Sequence, residues 1–177
     1  MVSRFGLRVA LLAGVALWLA GTPWAHARLG ETLAQLKTRF GEPQTVKAVQ
    51  TPVAKEYVFQ GKDGVQVSAF CRGTVCEKIT YNRVFGGLKD EEIQQLLKIN
   101  GPIWIEEKTP QWEIVKNRNA GRMWRREDSQ AWAETGKISR YLCIMTFDWL
   151  NAEAKATAEA EAQQAREAAK PQKLNGF

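Results

Sequence analysis

The sequence predicts an α+β protein made of two related units, each a short helix packed on an antiparallel β-meander, with a C-terminal Ala-rich helical tail. Three observations carry that expectation. Apolar residues recur at helical spacing in Leu33, Leu36 and Phe40, and again in Ile93, Leu96 and Leu97. Each of these stretches is followed by short runs rich in β-branched and aromatic residues, bounded by Gly, Pro, Asn and Asp. The order of helix then strands therefore occurs twice, over 28–85 and 86–150, before the composition changes to Ala, Glu and Gln at 151–177.

Residues 1–27 read as an export signal. Arg4 and Arg8 form a basic start, residues 9–20 form an uncharged apolar run, and Ala25-His26-Ala27 sets small residues at the two positions a signal peptidase reads. Cleavage is expected after Ala27. The apolar run is short of the roughly 20 residues a spanning helix needs, and no Cys follows it for acylation. The mature chain is expected to be soluble, periplasmic or secreted, with no integral membrane segment left after cleavage.

In the first unit, Glu31 favours the first helical turn, and Gly41 and Pro43 stop the helix. A loop containing Pro52 is expected to lead to strands at 56–60, 65–71 and 75–81, joined by short turns as a meander with the helix across its apolar face. Gly86-Gly87 opens the second unit. Asp90, Glu91 and Glu92 crowd the positive end of its helix, which ends at Asn100-Gly101-Pro102. Strands are expected at 103–106, 112–115, 122–126, 131–134 and 139–147. Residues 151–170 have high helix propensity, and Pro171 ends them. This tail lacks a stripe of large apolar residues, so it is expected to be a solvated helix or a flexible extension, with a docking arm or spacer as the functional alternative.

The chemistry open to such a chain is narrow. His26, the single histidine, lies in the expected signal, so the mature chain has no imidazole for a Ser-His-Asp or Cys-His system or an ordinary zinc site. Carboxylate-only hydrolysis and a Ser-Lys pair survive that test, but neither has a motif here. No enzyme activity, cofactor or metal is predicted. Lys plus Arg number 25 against 19 Asp plus Glu, a net charge of +6 that becomes +4 once Arg4 and Arg8 leave with the signal. The basic residues alternate with acidic ones, which describes a solvated surface, and export argues against nucleic acid as a partner.

Cys71 and Cys76 bracket Arg72-Gly73-Thr74-Val75 between two expected strands. A hairpin with that four-residue loop sets them opposite each other, so a disulfide is expected in an oxidising compartment, with two buried thiols as the alternative. Their spacing is not Cys-x-x-Cys, which argues against a redox pair. Cys143 lies in an apolar run and is expected to be a buried, inert thiol.

Five tryptophans follow the signal, Trp104, Trp112, Trp124, Trp132 and Trp149. Trp124 sits among Arg122, Arg125 and Arg126, and Trp132 follows across a turn. Trp124, Arg125 and Trp132 are therefore the candidate binding residues, as indoles flanked by guanidinium groups suit sugar rings, extended peptides or another protein's surface. Packing of each indole into a sheet face is the competing expectation. Glu106, Glu107 and Glu113 offer a weaker catalytic pair, of which Glu106 and Glu107 point to opposite faces if they share a strand.

Leu33, Leu36, Phe40, Gly41-Glu42-Pro43, Tyr57-Val58-Phe59 and the hairpin through Ile79 resemble the small outer-membrane assembly lipoproteins of the SmpA/OmlA type. The tandem helix-plus-sheet layout is also similar to the beta-lactamase inhibitor protein and to many small exported bacterial proteins. These resemblances imply a non-catalytic module whose sheet face or loops engage another envelope protein. The acylated Cys of the lipoproteins is missing here, so the resemblance implies no membrane anchor.

Overall fold

Helix α1 (Leu33–Phe40) forms where the apolar spacing places it. Thr32 starts it with a reciprocal cap: its hydroxyl accepts from the Gln35 N–H (3.3 Å), and the Gln35 side chain accepts from the Thr32 N–H (2.8 Å). Gly41, at φ +82°, ends it in a conformation that L side chains rarely adopt. A computed structural model of the chain describes residues 27–50, 52–108, 120–136, 138 and 141–169. Within these lie three helices and one antiparallel sheet of eight strands, a mixed α+β architecture.

The stretch expected to be a loop before residue 56 contains a strand. β1 (Thr45–Gln50) pairs with β2 (Val53–Gln60). It is an edge strand with nearly all its side chains exposed, so no apolar alternation betrays it. β3 (Val65–Arg72) and β4 (Val75–Arg83) follow as expected, but Gly73-Thr74 alone makes the turn, with Arg72 and Val75 already paired. Gly73, at φ +63°, permits that tightness. Cys71 and Cys76 are cross-strand partners and are bonded. The loop they close is short, so replacing both by Ser is expected to lower stability by about 2 kcal/mol, read from the urea midpoint of the oxidised protein against the variant.

Helix α2 (Asp90–Asn100) carries its three acids in the first turn and buries Ile93, Leu96, Leu97 and Asn100. After it come β5 (Trp104–Glu106), β6 (Ala120–Arg126), β7 (Ala131–Gly136) and β8 (Leu142–Thr146). The strand expected at 112–115 lies outside the described residues, as do nearly all of the expected signal and Pro171. The sheet order is β1-β2-β3-β4-β8-β7-β6-β5, so the two halves of the chain share a single sheet, joined where β4 pairs with β8. That pairing crosses the boundary expected at residues 85 and 86.

Both faces of the sheet carry apolar clusters. On the first face, Leu36 of α1 and Ile93, Leu96 and Leu97 of α2 bury Phe59, Val67, Ala69, Ile79, Tyr81, Leu142 and Ile144. Tyr81 is the polar pivot of this core. Its hydroxyl donates to the Ala27 carbonyl and accepts from the Asn100 side-chain amide (3.2 Å), whose carbonyl oxygen accepts from the Leu29 N–H (2.7 Å). Burial pushes the Tyr81 phenol well above its ordinary value, so it stays neutral.

The second face is partly covered by α3 (Phe147–Ala168), which begins at the last residue of the strand expected over 139–147 and before the helical tail expected from 151. The Thr146 hydroxyl caps it by accepting from the Trp149 N–H (3.1 Å). Trp149 and Leu150 in its first turn pack on Trp132 and Met145. From Ala158 to Ala169 every residue is exposed. The tail is thus part core and part solvated helix: its first turn is pinned to the sheet, and the Ala-rich remainder buries nothing.

Candidate functional site

The second face is only half covered, and its open half is a groove of about 330 Å³ lined by Phe70, Lys78, Thr80, Asn82, Glu134, Tyr141 and Cys143. Strand register brings these residues together. Phe70 pairs with Lys78, Thr80 with Cys143 and Glu134 with Cys143, so side chains from β3, β4, β8 and β7 stand side by side on one face. On β4 the same alternation sends Ile79 and Tyr81 into the first-face core and leaves Lys78, Thr80 and Asn82 for the groove.

The groove wall next to α3 is aromatic and charge-compensated. Phe70 and Trp149 meet with ring centroids 5.8 Å apart. The Lys78 ammonium lies 5.1 Å from the Phe70 centroid and 5.6 Å from that of Trp149, and it pairs with the Glu153 carboxylate (2.6 Å). The Trp149 indole donates to the same carboxylate oxygen (2.9 Å). Ammonium, carboxylate and indole thus fix one another, which holds the start of α3 against the sheet. Deeper in, Glu134 is only 6% exposed and accepts from the Trp132 indole (3.3 Å). The Thr80 hydroxyl donates to the Cys143 sulfur (3.5 Å). Cys143 is buried, as the sequence predicts. The groove therefore offers ring faces, hydroxyl, amide and carboxylate groups on a rigid floor. Pockets of this size and mixture hold ligands by stacking and directed hydrogen bonds.

Pairing of β4 with β8 stops at Tyr81 and Leu142, so the chain leaving β4 and the chain entering β8 lie at the same end of the sheet. Phe85 and Ile138 on these two connections are 85% and 97% exposed.

Trp124, Arg125 and Trp132 do not form the joint face expected of them. Trp124 pairs with Ala133 and Arg125 with Trp132, so the two indoles point to opposite sides of the sheet. Trp124 is buried in the first-face core under the Arg122 guanidinium (4.8 Å from its centroid), and Trp132 is buried beneath α3. Arg125 pairs with Glu107 (3.0 Å) and donates to the Ser129 hydroxyl (3.0 Å). Trp132 does not line the groove, and it meets the lining through its bond to Glu134. The groove lining is not legible in the sequence because it gathers single positions from β3, β7 and the start of β8 beside a row of three on β4. The one available signal was the row Lys78, Thr80, Asn82, which reads equally well as a solvated face.

Of the weaker carboxylate candidates, Glu106 and Glu107 fall within the described residues. Glu106 shares the face of Trp124 and is bound by Arg122 through two bonds (2.8 and 2.9 Å), which hold its carboxyl below the usual range. Glu113 lies outside the described residues. Arg126 acts likewise on Asp128. Burial alone raises the Glu92 carboxyl, but the Lys89 N–H and Arg83 outweigh it and the net direction is down. Carboxyls depressed in the folded state add stability above their unfolded values and lose it as pH falls through the folded ones. The urea midpoint is therefore expected to fall between pH 5 and pH 2, and Glu92→Gln is expected to fall less steeply.

Among the described residues, no cluster of three His, Cys, Asp or Glu side chains could hold a metal ion, and no helix is long and apolar enough to cross a membrane. The class defined so far is a helix-flanked, eight-stranded antiparallel α+β sheet with a groove on its second face. No protein-family model and no curated protein match the chain. Among solved structures, it is similar to a cysteine-rich secretory protein from Staphylococcus aureus subsp. aureus Mu50, with a TM-score of 0.43 and 11% identity over 69% of this chain and 46% of that one. It is also similar to an extracellular protein containing a SCP domain from Bacillus anthracis str. Ames, with a TM-score of 0.41 and 10% identity over 67% of this chain and 44% of that one. The chain spans less than half the length of either, and neither likeness reaches the level at which a shared fold follows. The SmpA/OmlA and beta-lactamase-inhibitor resemblances gain no support from these matches.

Proposed function

We propose that this chain is an exported, non-catalytic module of the bacterial envelope that binds another envelope protein in the groove of its second face. The observation that carries the reading is the groove itself, with Phe70 and Tyr141 beside Thr80, Asn82 and Glu134. Mixed apolar and hydrogen-bonding surface of that kind suits a protein segment, whose side chains fill the apolar part while its backbone meets the polar part. The export motif and the Cys71–Cys76 bond agree on an oxidising compartment, periplasmic or secreted. The two halves are read as related units because helix followed by four strands occurs twice in the element order. The exposed part of α3 is read as a spacer or docking arm.

A second reading, a carboxylate-dependent hydrolase acting on cell-wall or other carbohydrate, is favoured by one observation, the nearly buried Glu134 beside Tyr141. Two-carboxylate hydrolysis needs a second acid about 5 to 10 Å away. Among the described residues Glu134 is the one carboxylate that lines the groove, and Glu106 stands on the opposite face. Affinity purification of the tagged chain from native envelope, with mass spectrometry of what accompanies it, tests the choice. One protein in stoichiometric amount supports the binding module. A bound glycan without protein supports the hydrolase and overturns it.

A further inference from the structure

The segment between the expected cleavage point and α1 is more tightly bonded than an ordinary chain start. The Arg28 N–H donates to Glu31 Oε2 (2.9 Å), Leu29 to Asn100, Gly30 to the Cys76 carbonyl (2.9 Å), and Leu33 to the Thr74 carbonyl (3.0 Å). The Glu31 carboxylate is 12% exposed and is also held by both terminal nitrogens of Arg39 (3.0 and 2.6 Å). Ala27, fully buried, gives its carbonyl to the Tyr81 hydroxyl. The backbone nitrogen that touches Glu31 is thus the atom that cleavage after Ala27 turns into the chain's amino terminus.

We propose that the Ala27–Arg28 peptide bond is a processing site cut before the chain folds, so that the folded product holds an ion pair between the new Arg28 α-ammonium and the Glu31 carboxylate in exchange for the Tyr81–Ala27 hydrogen bond of the uncut chain. The exchange rests on the export reading above. Water adds across the amide, Ala27 leaves with the carboxylate, and Arg28 keeps the amine, which takes up a proton. The amide N–H of the uncut chain already lies at hydrogen-bond distance from Glu31, so the folded product takes the charge with no rearrangement of the segment. The groups around it are Glu31, Arg39 of α1, the guanidinium of Arg28 itself, the neutral Tyr81 hydroxyl of β4 and the uncharged Asn100 of α2. Two guanidinium groups oppose the new charge, but the direct carboxylate contact, partly shielded from water, is closer and stronger.

A folded-state amine raised above its unfolded value of about 8 adds stability that is fully present below that pH and is lost as pH rises through the folded value. Chains 28–177 and 27–177, each released in vitro from a fusion by a protease that leaves no extra residue, separate the effect from export. The thermal midpoint of 28–177 is expected to drop by about 3 °C more than that of 27–177 between pH 7 and pH 9.5. Glu31→Gln in 28–177 should remove that excess, and NMR titration of the isotopically methylated α-amine should place its midpoint above the reference value and return it there in the variant. Tyr81→Phe should lower the midpoint of 27–177 more than that of 28–177. Equal pH profiles in the two chains, or an unshifted α-amine in 28–177, would overturn the ion pair, and equal losses from Tyr81→Phe would overturn the exchange. N-terminal sequencing of the exported protein reads the export step separately: Arg28 first supports the site, and Met1 retained overturns it while leaving the in vitro comparison intact.

Discussion

Trp149→Ala is expected to lower the unfolding free energy by about 3–5 kcal/mol, the largest effect of any single truncation on the second face. The indole is 1% exposed, packs on Phe70 and shares the Glu153 carboxylate with Lys78. Its removal opens a cavity beneath α3 and strips one donor from a three-group contact, so the helix start loses its grip on the sheet. Ending the chain after Thr157 should behave oppositely. Residues 158–169 are all exposed, and surface residues without buried contacts change stability by less than about 0.5 kcal/mol. Chemical denaturation of the two variants checks the contrast. A strongly destabilised truncation would mean that the Ala-rich part of the helix packs on something after all.

Asn82→Trp is expected to weaken partner binding at least tenfold while leaving the thermal midpoint nearly unchanged. Asn82 is exposed at the groove end of β4, and its side chain makes none of the core contacts that its neighbour Tyr81 makes. An indole there fills part of a groove of about 330 Å³ and obstructs whatever lies over Thr80 and Glu134. A tenfold loss corresponds to about 1.4 kcal/mol, well within what blocking one interface position removes. Titration of the wild type and the variant with the co-purified protein measures it. Unchanged affinity with unchanged folding would move the contact away from the second face.

The elements legible in the sequence are those whose pattern is local. α1 and α2 show their apolar stripe and their stops, and β3, β4 and β7 show short apolar runs between turn residues. β1 has exposed side chains on an edge, so its residues carry no amphipathic signal. α3 begins at Phe147, the last residue of the run that reads as a strand, and only the Thr146 cap marks the change. The groove was illegible for a different reason. It depends on which face each strand turns outward and on β4 lying next to β8, a pairing between residues more than 60 positions apart. The same register separates Trp124 from Trp132, which lie on adjacent strands and face opposite ways.

Photo-crosslinking in the native envelope tests most directly the claim that the second face is the working surface. A photoreactive residue replaces Asn82 in one strain and Val53, 79% exposed at the start of β2, in another. The account predicts one discrete protein adduct from position 82 and none of that mass from position 53. The same adduct from both positions, or none from 82 in a chain shown to be folded, would contradict it.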